Sequence, residues 1–311
     1  VEITTYRTET SYVNNRYPMK VYYTSSLEAD LKRRDFTMNA IAARPVGNTV
    51  EIFDPQNGRH DIEKNLIRSI GDPEQRFKED ALRILRMLRF SSVLGFTPEE
   101  NTEKCAKKHV SLLENISPER ISSELEGFFS GDFYYDTAIR LFDILKFIIP
   151  EADASKITND IHPDVRLAYL FPDKASCCNR LKKLRFKSAF IKKISSLTGL
   201  KNLTVSLHSE CASYILRNFE NNYTEALSFL RLIHGKEVTE KLKAEIEDIL
   251  ENNRCYKLSQ LNINGNDLLK IGISGKKTGE ILSNLLEAVI NGKIKNNFSD
   301  LISYVNISIY H

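Results

Sequence analysis

The stretch Glu79-Asp80-Ala81-Leu82-Arg83-Ile84-Leu85-Arg86-Met87-Leu88-Arg89-Phe90 sets a polar residue at every third position of an otherwise apolar run. A surface helix usually gives a broader face to polar groups. Here the polar stripe is narrow and consists of one acid and three arginines beyond Glu79. Asp80 and Arg83 stand at i, i+3, a spacing that brings side chains together on one helix. Such a pair has a definite capability. Cytosine and adenine each present an exocyclic amino donor beside a ring-nitrogen acceptor. An aspartate accepts from the amino group while an arginine donates to the ring nitrogen. Guanine and uracil leave both groups badly paired, which is costly in a closed site. The competing reading of the same residues is an intramolecular salt bridge on a buried helix.

Upstream, Lys32-Arg33-Arg34-Asp35-Phe36-Thr37-Met38-Asn39-Ala40 sets three cations beside a carboxylate and an amide. The planar fork of arginine suits phosphate, and aspartate accepts from a hydroxyl such as that of ribose. A nucleoside triphosphate needs both. The alternative is a solvated basic turn.

Around these clusters the texture changes once. Val1–Arg7 alternates like a strand, residues 8–18 read as a polar flexible loop, and Val21–Thr24 as a short strand. Ser26 is the expected cap of a helix. Asn39–Ala43 and Val50–Phe53 read as strands, the second ended by Asp54-Pro55. From Asp61 on, helical patterns follow one another: 61–67, 73–94, 99–114, 118–130, 134–147, and at the end 278–291 and 297–308. Ser117-Pro118 is a helix start, with Ser117 as cap and Pro118 at the first helical position. A small α/β part followed by a long all-α region is expected.

The bulk properties exclude little. The 311 residues and 35.7 kDa suffice for two or three small domains. A net charge of +3 permits nucleic-acid binding without arguing for it. Five cysteines without C-x-x-C spacing suggest reduced thiols rather than a zinc site or disulfides. No apolar run is long enough for a membrane span, and a cytoplasmic protein is expected. The chain opens on Val1, within a strand pattern, so a fragment, a processed chain or a missing N-terminal segment is expected.

The ordered motifs RRDFTMNA, EIFDPQNG and IRSIGDPEQRFKEDALRILRMLRF closely resemble the class II tRNA nucleotidyltransferases and bacterial poly(A) polymerases. Both belong to the DNA polymerase beta-like nucleotidyltransferase superfamily. Ser117-Pro-Glu-Arg-Ile-Ser-Ser-Glu-Leu resembles the family's neck, and Leu261-Asn-Ile-Asn-Gly-Asn-Asp-Leu-Leu its tail. The likeness is weakest between about Tyr134 and Cys255. It implies an α+β chain: a truncated nucleotidyltransferase head (1–59), then an elongated all-α neck with the nucleotide-selecting helix (60–131), body (132–255) and tRNA-binding tail (256–311). It implies that Arg34 and Asp35 contact sugar and phosphate with Asn39 in support. Asp80 and Arg83 read the base, and Arg86 and Arg89 make further nucleotide contacts. It also implies that residues 8–23 form the flexible loop that helps switch from C to A addition. CTP, ATP and tRNA are the implied partners and Mg2+ the implied cofactor.

One departure stands out. The family's Asp-x-Asp, which holds two magnesium ions, has no counterpart in this sequence. Only Glu2 matches a third carboxylate near that site, and it also reads as an exposed strand residue. The loop over residues 8–23 and the compact tail favour CCA addition to tRNA over poly(A) or A-only addition, the nearer alternative; the missing Asp-x-Asp speaks for the more distant alternative, an inactive RNA-binding relative. A fused HD-type phosphohydrolase has only His162-Pro163-Asp164 in its favour and lacks the required histidines. Lys182, Lys183, Arg185, Lys187, Lys192, Lys193, Lys276 and Lys277 are the candidates for holding RNA, though such clusters are often solvated helix faces.

Overall fold

The computed structural model describes residues 5–9, 12–13, 17–18, 21–204 and 209–309. Two compact units divide the chain, Val1–Thr198 and Gly199–His311.

Among the described residues the first unit has, before its first helix, four short strands: β1 (Arg7–Glu9), β2 (Tyr12–Val13), β3 (Tyr17–Pro18) and β4 (Val21–Tyr23). β1 pairs antiparallel with β4, and β2 with β3. The described residues of the expected loop are thus partly in strands. The strand expected over residues 1–7 lies mostly outside the described residues, and Glu2 with it. Helix α1 (Leu27–Lys32) starts where the Ser26 hydroxyl accepts from the Ala29 N–H at 3.2 Å. A 3-10 turn at Thr37–Asn39 replaces the start of one expected strand. β5 (Ala42–Val46) and β6 (Thr49–Phe53) then form an antiparallel hairpin, and the positive φ of Gly47 serves its tight turn.

Asp54 does more than end a strand. Its two carboxylate oxygens accept from the Gly58 and Arg59 N–H groups at 2.7 and 2.9 Å, starting α2 (Gly58–Glu63). Residues Leu66–Ile67 are β7 rather than the end of a helix. β7 runs parallel to β8 (Thr97–Pro98), beyond α3 (Pro73–Glu79) and α4 (Leu82–Leu94). The helix expected over 73–94 is broken at Asp80, whose backbone is extended (φ −139°, ψ 101°). Asp80 can leave the helical conformation because its own carboxylate accepts from the Leu82 N–H at 3.1 Å and so starts the next helix.

The remaining helices of this unit are α5 (Glu100–Lys108), α6 (Pro118–Phe129), α7 (Tyr134–Arg140), α8 (Phe142–Ile148), α9 (Pro163–Leu170), α10 (Lys174–Lys183) and α11 (Ser188–Gly199). Pro118 is at the start of α6 as expected, but the Ser117 side chain caps nothing. α4 packs against α6 and α7. Its apolar residues Leu82, Ile84, Leu85, Met87 and Leu88 are buried, as are Leu125, Phe128 and Phe129 of α6 and Tyr134 of α7. The helix expected over 134–147 is interrupted at Leu141.

In the second unit, α12 (Ser209–Phe219), α13 (Tyr223–His234) and α14 (Lys236–Glu251) pack on one another. α15 (Gly265–Lys270), α16 (Lys276–Ile290) and α17 (Phe298–Ile309) close around Leu268, Leu285, Leu286, Leu301 and Val305. All five cysteines are free thiols.

Backbone hydrogen bonds tie the 33–40 loop to this frame. Phe36 bridges Ser69, the Thr37 N–H donates to the Arg68 carbonyl at 2.9 Å, and the Ile70 N–H donates to the Asp35 carbonyl at 3.2 Å. α2 approaches so closely that a Cβ on Gly58 would stand 2.2 Å from the Thr37 carbonyl oxygen. Gly58→Ala is therefore expected to destabilise by about 1–3 kcal/mol through overpacking. Gly279→Ala, in α16 with open space around the position, is expected to stabilise by about 0.5–1 kcal/mol. Denaturant titration of both variants checks the opposite signs.

Candidate functional site

Four segments of the first unit meet at one place: the 33–39 loop, the end of α3, the start of α4 and the start of α6. Burial makes each charge there find a partner. Asp35 is only 9% exposed. One of its oxygens accepts from the Phe36 N–H and from Asn39 Nδ2, both at 2.9 Å. The other accepts from Arg86 Nε at 2.6 Å, across 51 residues of sequence. Burial by itself pushes the Asp35 carboxyl up. Arg86 and the two N–H donors outweigh it and hold the group below the ordinary carboxylate value. Arg86 is raised in turn: burial opposes its charge, and Asp35 more than compensates.

The Asn39 carbonyl accepts from Arg34 Nη1 at 3.1 Å. Arg34 Nη2 also reaches Asp30 at 3.4 Å, and Arg33 binds the same carboxylate at 2.7 Å. Asp30 was not foreseen. It lies in α1, 3% exposed, and pairs with both arginines.

On α4, Arg86 and Arg89 share Glu124 of α6, at 3.7 and 2.6 Å. Both guanidinium groups also lie over the Phe90 ring, at 5.1 and 4.5 Å from its centroid.

Asp80 and Arg83 are brought to this place but are not bonded to each other. With Asp80 outside the helix, the i, i+3 geometry expected for the pair does not apply. The free oxygen of Asp80 instead accepts from Arg120 of α6 at 3.3 Å. Arg83 is 6% exposed. Its Nη1 donates to the Arg76 carbonyl at 3.2 Å and to Glu79 at 3.4 Å, and its Nη2 to the Arg33 carbonyl at 3.1 Å. Guanidinium has five N–H donors. Three bonds leave the Nε–H and one Nη2–H for another acceptor.

Arg76, Glu79, Arg120 and Glu124 were missed as site residues. Glu79 stands beside Asp80 in the chain and offered a local signal. Arg120 and Glu124 are 40 and 35 residues from the groups they hold, and no spacing rule connects them. Among the candidate RNA-binding cations, Arg185 pairs with Glu119 and Lys193 with Asp164, each at 2.5 Å. His162 caps no hydrogen bond in α9, and Asp164 is taken by Lys193. Among the described residues no three His, Cys, Asp or Glu side chains converge to hold a metal ion.

Residues 1–68 match the family model of the poly A polymerase head domain, and residues 165–305 that of tRNA nucleotidyltransferase domain 2. Residues 95–156 match the model described as "Probable RNA and SrmB-binding site of polymerase A". The CCA-adding enzyme of Bacillus subtilis is 33% identical, over 95% of this chain and 77% of its own length. That of Staphylococcus saprophyticus is 31% identical, over 99% and 80%.

The chain belongs to the CCA-adding enzyme family.

The crystal structure of the Bacillus stearothermophilus CCA-adding enzyme in complex with CTP superposes with a TM-score of 0.74, at 25% identity, over 99% of this chain and 78% of that one. The CCA-adding enzyme fold, a nucleotidyltransferase head followed by helices, is thus the fold of this chain. Nucleotidyltransferases of this family use a divalent metal ion. The described residues do not by themselves fit one, and Glu2 lies outside them. No helix among the described residues is long and apolar enough to cross a membrane.

The Asp35 carboxylate gives a pH test. Its folded value is lowered, so its contribution to stability is complete above the unfolded value of about 3.9. That contribution is lost as pH falls through the folded value. The stability difference between the protein and Asp35→Asn is therefore expected to be constant from pH 7 to about 4 and to close below that. Thermal melts of both proteins across this range check it. A difference that already narrows near pH 6 would mean a raised carboxyl.

Proposed function

We propose that this chain adds C and A to the 3′ end of tRNA from CTP and ATP, and that Asp80 and Arg83 read the incoming base. The observation that carries the reading is the way Arg83 is held. Three hydrogen bonds to Glu79, Arg76 and Arg33 fix its guanidinium and leave two N–H donors, beside an aspartate that Arg120 keeps in reach. Held donors and acceptors reject a base with the opposite pattern, because reorienting them costs bonds already made.

Arg34, Asp35 and Asn39 are assigned to the sugar and phosphates, and Arg86 and Arg89 to further nucleotide contacts. These arginines already face carboxylates of the protein. A triphosphate competes with Asp30 and Glu124 for the same forks. Residues 8–23 are assigned to the C-to-A switch. We assign Mg2+ as the ion and Glu2 as one carboxylate that holds it; when bound, it would steady the triphosphate charge. The location proposed is cytoplasmic.

The test is extension of tRNA ending in N, NC and NCC with each of the four nucleotides. CCA addition predicts two C residues and then a single A. Addition of A alone, or of long A tracts, would establish the A-adding or poly(A) reading instead. Binding of tRNA without extension would leave an inactive relative. In the same assay Arg83→Ala is expected to lose about 1–3 kcal/mol of discrimination between CTP and UTP. Selectivity equal to that of the unaltered protein would remove the template role.

A further inference from the structure

We infer that Arg76 is a positioning residue for nucleotide selection. It joins the base-reading side chain and the sugar–phosphate loop into one unit without touching the nucleotide. The inference rests on the base-reading role given above to Arg83.

The geometry is a closed ring of four groups. Arg76 Nη1 bonds the Glu79 carboxylate. Arg76 Nη2 donates to two successive carbonyls, those of Arg33 at 2.5 Å and Arg34 at 2.6 Å. Arg83 Nη2 donates to the same Arg33 carbonyl at 3.1 Å, and Arg83 Nη1 to the same Glu79 oxygen at 3.4 Å. The ring closes through the Arg76 carbonyl, which accepts from Arg83 Nη1 at 3.2 Å. Every acceptor that holds Arg83 is therefore also a partner of Arg76 or belongs to it.

The carbonyls have a reason to need this. Residues 33 and 34 follow the last turn of α1, where helix carbonyls lack backbone donors and the helix dipole is negative. A cation there is favoured twice, as donor and as charge. Arg34 and Asp35 leave from this point to make the sugar–phosphate loop. Fixing the carbonyls of residues 33 and 34 thus fixes where that loop starts, relative to Arg83.

The planar fork of Arg76 reaches the three acceptors from two nitrogens. Lysine has one nitrogen and keeps the charge without the fork. Without Arg76, Arg83 keeps its acceptors but they lose their common anchor. Base selection then weakens more than nucleotide binding in general. A purely structural Arg76 would do the opposite, weakening all nucleotides alike or none.

The experiment measures equilibrium binding of CTP, ATP, UTP and GTP to the full chain and to Arg76→Lys, Arg76→Gln and Arg83→Ala, with thermal melts to confirm folding. Arg76→Lys, which retains the charge, decides if Arg76→Gln does not fold. The expected result is an about tenfold smaller ratio of UTP to CTP dissociation constants in the Arg76 variants, with UTP binding unchanged. If Arg83→Ala loses selectivity and the Arg76 variants keep it, the positioning role is overturned and base reading stands. A uniform loss for all four nucleotides also overturns it. Unchanged selectivity in Arg83→Ala overturns base reading, and this inference with it.

Discussion

Asp35 is a carboxylate that the fold has taken out of water, and such a charge must be met where it sits or the segment does not stay buried. Arg86 meets it at 2.6 Å from a helix 51 residues further on. This contact fixes the 33–39 loop against α4. It also directs one guanidinium of the arginine stripe inward, where Phe90 covers it and Glu124 balances it. Phe36, next to Asp35, is wholly buried and meets Phe90 edge-on at 6.0 Å. Charge and apolar contact therefore act on the same two segments and support each other.

The same logic extends to α6. Its acid Glu124 serves Arg86 and Arg89, while its cation Arg120 serves Asp80. One turn of α6 thus answers charges of both signs on the facing segment. α4 and α6 pack together, and Leu85 and Leu88 of the one and Leu125 and Phe128 of the other are buried. Buried charge pairs add little net stability compared with apolar packing. What they set is direction: which oxygens and which N–H groups remain for a ligand.

Selection among nucleotides requires that remaining donors and acceptors stay in place when the wrong base arrives. A loose arginine would follow whichever base was present. Arg83 is buried and has three of its N–H groups engaged, so in the base-reading role proposed for it little ordering is left to be done on binding. Asp80 reaches a comparable state by another route. It stands between two helices, starts the second with one oxygen and pairs with Arg120 through the other. Pre-organisation of both groups is a property of their protein neighbours, not of the pair itself.

Much of this was legible in the sequence for local reasons. The apolar period within 73–94, the Ser26 cap, the Pro118 start and the long helical succession depend on neighbours within a few residues, and they emerge from the chain read alone. The two charged clusters, 32–40 and 79–90, also stand out in the chain read alone; their joining into one site with Arg34, Asp35, Asn39, Asp80, Arg83, Arg86 and Arg89 came from the family resemblance and is a proposal. The break at Asp80 was not legible, because the apolar period runs on through it and only the carboxylate's own bond to Leu82 shows where the helix restarts. Nor were the partners: Arg120 for Asp80, Glu124 for Arg89, Arg76 for the carbonyls of Arg33 and Arg34. The sequence by itself determined which charges had to be neutralised. Tertiary packing decided which partner neutralises each, because electrostatic pairing depends on distance in space, and residues 35 to 51 positions apart become neighbours only when the helices pack.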